Sequence, residues 1–149
     1  FPFPTWGKER VGAAATPKRK ARLMSTPLPT DLLPPDARQS QLPALAETGW
    51  AAVPDQDAIR KILKFKNFSE AWAFMSRAAL VAEKLSHHPE WRNVYNVVDV
   101  TLTTHDCSGL SQLDIDLARA MDRFSPEAEV QRDHGEPVMS LCQVNARKA

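Results

Sequence analysis

Three of the four histidines in this chain, His87, His88 and His105, fall within 19 residues of one another. Imidazole exchanges its proton near neutral pH, with an ordinary pKa of about 6.5. Such a cluster points to proton transfer or to metal binding. Zinc needs three or four ligands converging on one point. Adjacent residues of an extended segment point to opposite sides, so His87 and His88 do not converge there. The sequence has no H-x-x-x-H or H-x-H pair. The spacing therefore favours acid–base chemistry over a metal site. At a turn between a helix and a strand, the pair can flank a flat ligand, with His105 closing a third side. Trp91 offers a planar apolar surface for stacking a heterocycle. Glu83, one helical turn before His87, and Asp106, beside His105, are placed to fix imidazole tautomers. A solitary histidine is more often structural. Three beside acids and a tryptophan form a functional-site pattern.

The elements that must position these residues are legible between Leu42 and Phe124. Ala37–Thr48 reads as a short helix stopped by Gly49. Trp50–Val53 and Ala58–Lys66 read as strands with Pro54-Asp55 turning between them. In the second, Leu63 and Phe65 alternate with Lys64 and Lys66, the period of a half-buried strand. Asn67 is an N-cap with Glu70 three residues on. Ala71, Met75, Ala78, Ala82 and Leu85 then recur at helical steps, widened by Trp72, Phe74 and Ala79. Trp72 and Phe74 read as core or subunit-contact residues. Pro89 disfavours helical geometry at His88, so this helix ends near Ser86.

From Trp91 to Thr104 the chain is rich in β-branched residues, with Asn93 and Asn96 as turn candidates. Val94, Val98, Val100 and Leu102 share one parity and are expected on the core face. Ser111 caps a last helix running to Phe124, with Asp114 at its third position as a capping acid. The order α-β-β-α-β-β-α predicts the α+β class: a four-stranded antiparallel sheet with helices on one face.

Composition bounds the rest. The 149 residues suit one domain, with net charge +1 from 19 basic and 18 acidic side chains. That balance gives no reason to expect nucleic acid as a partner. No run approaches the 18 apolar residues that would indicate a membrane span. Cys107 and Cys142 form no C-x-x-C pair and read as two ordinary thiols. Residues 1–41 hold seven of the twelve prolines and show no apolar periodicity. They are expected to be a disordered or transit-like extension, basic from Lys8 to Arg22, with Met24 a candidate start. Localisation is cytoplasmic on this reading, or organellar (mitochondrion or plastid) if the extension is a transit peptide. Residues 42–124 form the domain, and 125–149 a flexible tail. So small a core would gain from self-association.

The segment Phe68-x-x-Ala71-x-x-Phe74-Met75-x-Arg77-x-Ala79-Leu80-x-Ala82-Glu83-Lys84 leads into His87-His88-Pro89-Glu90-Trp91-x-Asn93-Val94-Tyr95-Asn96. Leu102-x-Thr104-His105-Asp106, Gly109-Leu110-Ser111 and Asp114 follow. Together they resemble the pterin-4a-carbinolamine dehydratases, also called dimerisation cofactors of a homeodomain transcription factor. The resemblance implies the same sheet-and-helix fold and homodimers, often paired into homotetramers. It implies dehydration of 4a-hydroxytetrahydrobiopterin with no cofactor and no metal, the pterin being the substrate. His87, His88 and His105 match the catalytic histidines. Glu83, Pro89, Trp91, Thr104, Asp106, Cys107 and Asp114 match residues at the substrate. Ser86 departs from the pattern, standing where many members have Asp or Asn. A non-catalytic binding or assembly module using the same dimer surface is the alternative, with its protein partner unknown.

Overall fold

The computed structural model describes residues 28–131. The basic leader, Met24, Cys142 and the end of the tail lie outside them. Three helices, α1 (Pro35–Glu47), α2 (Phe68–Leu85) and α3 (Gln112–Phe124), alternate with strands β1 (Ala51–Ala52), β2 (Ile59–Lys64), β3 (Glu90–Val94), β4 (Val97–Leu102) and β5 (Glu129–Gln131). A short 3-10 turn, His105–Cys107, follows β4. The sheet is antiparallel throughout, in the order β1-β2-β4-β3, and the α+β class and order of elements are those expected.

The sheet has five strands rather than four, and the fifth comes from the segment expected to be mobile. β1 covers only Arg60 and Ile59, which leaves the edge of β2 open further along. β5 fills it, pairing Ile62 with Gln131 and Lys64 with Glu129. Three residues are too few to carry a period, so no pattern announces this strand. Its Val130 closes over Gly49, where an added Cβ would lie 2.4 Å from Val130 Cγ1; Gly49 also has φ 104°. At the other end, Leu33 is buried and α1 starts at Pro35, so the packed chain begins before residue 42.

α2 presses on the sheet through small residues. Ala71, Ala78 and Ala82 are almost wholly buried, with Phe74 between them. Short side chains let the helix axis approach the strands closely. Trp72 and Ala79, expected to widen that stripe, face outward. The core joins these alanines to Leu63, Val98, Val100 and Leu102 from the sheet and Ile115, Ala118 and Met121 from α3.

One parity expectation fails. Val94 pairs with Val97 across the two-residue turn Tyr95-Asn96, and paired residues share a face. Val94 therefore sits with Val97 and Ile62 on the side away from the helices. Trp91, paired with Val100, is brought to the helix side. Both asparagines serve this region: Asn93 donates to the carbonyls of Tyr95 and Val97, and the buried Asn96 amide donates to Phe65 O at 2.6 Å.

Candidate active site

The three histidines are carried to one end of the sheet by three devices. The first is the stop of α2. Ser86 adopts the left-handed conformation, φ 51° and ψ 36°, and His87 N–H donates to Ala82 O at 3.0 Å. That closure turns the chain sharply after the helix. Among residues with a Cβ, Asn and Asp adopt this conformation most readily. The Ser86 departure therefore bears on how the helix ends.

The second device is the start of α3. Ser111 caps it and its N–H donates to Asp114 Oδ2 at 2.8 Å. Thr104 Oγ1 donates to the same oxygen at 2.7 Å, and Ser111 Oγ lies 2.6 Å from Thr104 Oγ1. Asp114 Oδ1 faces His87 Nε2 at 2.7 Å. Against an ionised carboxylate, which can only accept, an imidazole donates from Nε2 and keeps Nδ1 for other exchange. His87 is buried and Asp114 has no exposed surface at all. Asp114 is the capping acid its position predicts, and its side chain and that of Thr104 are occupied inside the protein, behind His87.

The third is the pairing of β3 and β4, which aligns Glu90 with Thr101. Glu90 Oε1 lies 3.0 Å from His105 Nε2, while Glu83 Oε2 lies 2.9 Å from His88 Nε2. Both imidazoles face solvent, 66% and 82% exposed for His88 and His105. The expected acid partners are thus redistributed. Glu83 serves His88 in place of His87, and His105 takes Glu90 in place of Asp106, which is exposed.

Glu90 carries a faint signal in the sequence, an acid two residues after the histidine pair, and the structure places it at the start of β3. Trp91 is half-buried and packed on the core, and Pro89 is half-buried beside it. Cys107 donates to Gly109 O at 3.4 Å in a half-buried turn. Each histidine thus has its own carboxylate, one pair buried and two exposed. Among the described residues, no three His, Cys, Asp or Glu side chains are grouped to hold a metal ion.

Residues 31–124 match the family model described as pterin 4 alpha carbinolamine dehydratase. The chain belongs to that family. Two curated relatives carry the name pterin-4-alpha-carbinolamine dehydratase as a provisional assignment. One, from Jannaschia sp., is 53% identical over 60% of this chain and 91% of its own length. The other, from Burkholderia cenocepacia, is 49% identical over 63% of this chain and 90% of its own. A crystal structure described as a transcriptional coactivator/pterin dehydratase from Brucella melitensis has a TM-score of 0.59 and 48% identity. It matches 64% of this chain and 99% of its own. The dehydratase match contains all three histidines and their carboxylates.

Proposed function

We propose that this chain is a 4a-hydroxytetrahydrobiopterin dehydratase, a hydro-lyase. It would remove water from the pterin carbinolamine to give the quinonoid dihydropterin. That step belongs to the recycling of the pterin spent in aromatic amino acid hydroxylation, with a separate two-electron reduction returning the dihydropterin to tetrahydrobiopterin. The carrying observation is the set of three imidazole–carboxylate pairs gathered at one end of the sheet.

The chemistry calls for such pairs. The 4a-hydroxyl leaves as water only when it receives a proton. The N5 proton must be taken for the C4a–N5 double bond to form. One imidazole gives a proton and another takes one, each contributing about 10²–10⁴-fold. The three histidines, Trp91 and Pro89 form the pterin contact, with Asp106 and Cys107 at its margin. No organic cofactor enters this reaction.

A second reading has its own observation. Phe68 and Trp72 stack at 6.0 Å on the outer side of α2, and with Leu80 they leave a row of large apolar side chains exposed. Such rows mark subunit or partner contacts. They support a homodimer or homotetramer, and also a module that stabilises another protein. Retention of all three histidines favours the enzyme.

The test is dehydration of the synthetic carbinolamine followed by ultraviolet absorbance, with each histidine substituted singly. The dehydratase reading expects acceleration over the spontaneous rate. Wild-type protein that is inactive while its oligomer is intact would establish the scaffold reading instead.

A further inference from the structure

Asp57 lies in the loop between β1 and β2, far in sequence from every histidine. It is the residue on which the site's outer loop is hung. Its Oδ1 accepts from Arg38 Nη1 at 2.8 Å, and its Oδ2 from Arg38 Nη2 at 2.6 Å and Leu110 N–H at 3.0 Å. The circuit then closes. Leu33 N–H donates to Leu110 O at 2.7 Å, and Arg38 Nε donates to Leu33 O at 2.9 Å. Asp57 acts through its backbone as well, its carbonyl accepting from Thr103 Oγ1 at 3.0 Å. One residue therefore grips both ends of the segment 103–110. Within that segment Thr104 and Gly109 are bridged by backbone hydrogen bonds in both directions, with His105 at the bend between them.

Gly109 is fitted to this clamp. A Cβ there would stand 2.3 Å from Asp57 Oδ2. The next residue after Leu110 is Ser111, whose N–H holds Asp114 and through it His87. Two of the three imidazoles thus depend for their placement on a loop whose ends Asp57 fixes. The bidentate guanidinium holds the Asp57 carboxyl below its ordinary range, and Leu110 N–H adds to this against burial. A tightly committed carboxylate is what a clamp requires.

We propose that Asp57, clamped by Arg38, is a positioning residue for the acid–base site: it sets where His105 and the Asp114–His87 pair stand without touching substrate. The kinetic part of this rests on the dehydratase reading; the structural part does not.

The experiment compares wild type, Asp57→Asn, Arg38→Gln and a control, Trp50→Phe. The control removes the hydrogen bond from Trp50 Nε1, ahead of β1, to Asp122 of α3 without touching the clamp. Asp57→Asn keeps the volume but turns an amide donor toward Leu110 N–H or Arg38. Two readouts are taken where each protein is fully folded: the pH titration of the imidazoles by ¹⁵N NMR, and the kinetics of carbinolamine dehydration. In Asp57→Asn and Arg38→Gln the His87 and His105 titration curves move. The pH–rate profile moves with them, and kcat falls on the order of 10- to 100-fold, more than KM changes. Trp50→Phe leaves titration curves and kcat as in wild type. If Asp57→Asn does not fold, Arg38→Gln carries the test, since it leaves Asp57 its backbone contacts. Titration curves and kcat unchanged in both clamp variants, or changed equally in Trp50→Phe, overturn the proposal. Displaced titrations with a wild type that has no dehydratase activity leave the clamp standing and remove the dehydratase reading.

Discussion

Replacing Asp114 by asparagine keeps the shape of a buried side chain and reverses its hydrogen-bonding sense. The carboxylate accepts from Ser111 N–H at 2.8 Å and Thr104 Oγ1 at 2.7 Å on one oxygen, and faces His87 Nε2 at 2.7 Å on the other. An amide offers one acceptor and one donor. With its oxygen toward His87, its NH₂ meets Ser111 N–H, donor against donor, while the Thr104 hydroxyl can rotate to adapt. With its NH₂ toward His87, Nε2 must give up its proton and the imidazole takes the other tautomer. The first arrangement leaves a buried N–H unsatisfied, about 1–3 kcal/mol, and weakens charge-assisted bonds each worth about 1.5–3 kcal/mol. A net loss of about 3 kcal/mol follows, a large part of the 5–15 kcal/mol that holds a typical domain. With a urea m-value of about 1.5 kcal/mol/M, the unfolding midpoint drops by about 2 M. Urea titrations followed by circular dichroism measure this, and the dehydration assay is run on the folded fraction. Adding Ser111→Ala to Asp114→Asn should cost less than the sum of the single losses, because the Ser111 hydroxyl and Asp114 Oδ2 share the Thr104 hydroxyl as a partner. A midpoint within about 0.5 M of wild type, with the dehydration rate unchanged, would refute the reasoning from buried hydrogen bonds.

Three further outcomes follow from the same geometry. His88→Ala and His105→Ala abolish dehydration but shift stability by less than about 0.5 kcal/mol, since both rings face solvent; His87→Ala, measured by urea melts, also destabilises because it strands the buried Asp114. Gly109→Ala lowers stability by about 1–3 kcal/mol, its new methyl colliding with Asp57 Oδ2, and differential scanning calorimetry reads the fall in Tm. The pH dependence has a definite sign. Arg38 holds the folded Asp57 carboxyl below its unfolded value, so its stabilisation is present above about pH 4 and lost as pH falls through the folded value. Urea midpoints of wild type should therefore drop more steeply below about pH 4 than those of Asp57→Asn.

The helices and the long strands were legible because each carries its own local signal. Asn67 and Ser111 cap α2 and α3 as their side chains predict, and Pro89 lies just beyond the end of α2. The alternation at Leu63 and Phe65 marked β2, and the identities and spacing of His87, His88 and His105 were enough to raise acid–base chemistry. What the sequence alone determined was therefore a local inventory: where α2, α3 and β2 lie, and which side chains carry chemistry suited to proton transfer.

The tertiary structure decided the partnerships. Glu83 is one helical turn from His87 in sequence, yet pairs with His88, because the left-handed Ser86 swings the chain after α2. Asp114 is 27 residues from His87 and becomes its partner because the α2 stop and the α3 cap meet over the sheet. Glu90 reaches His105 through the register of β3 on β4. Val94 changes face because a two-residue turn resets the parity. β5 exists because β1 is too short to cover the edge of β2. Asp57 carries no motif and becomes significant only when Arg38, Thr103 and Leu110 converge on it. Local propensity acts over a few residues and is written in the chain. A hydrogen bond between residues distant in sequence is set by packing, and exists only once the sheet and helices have brought its two ends together.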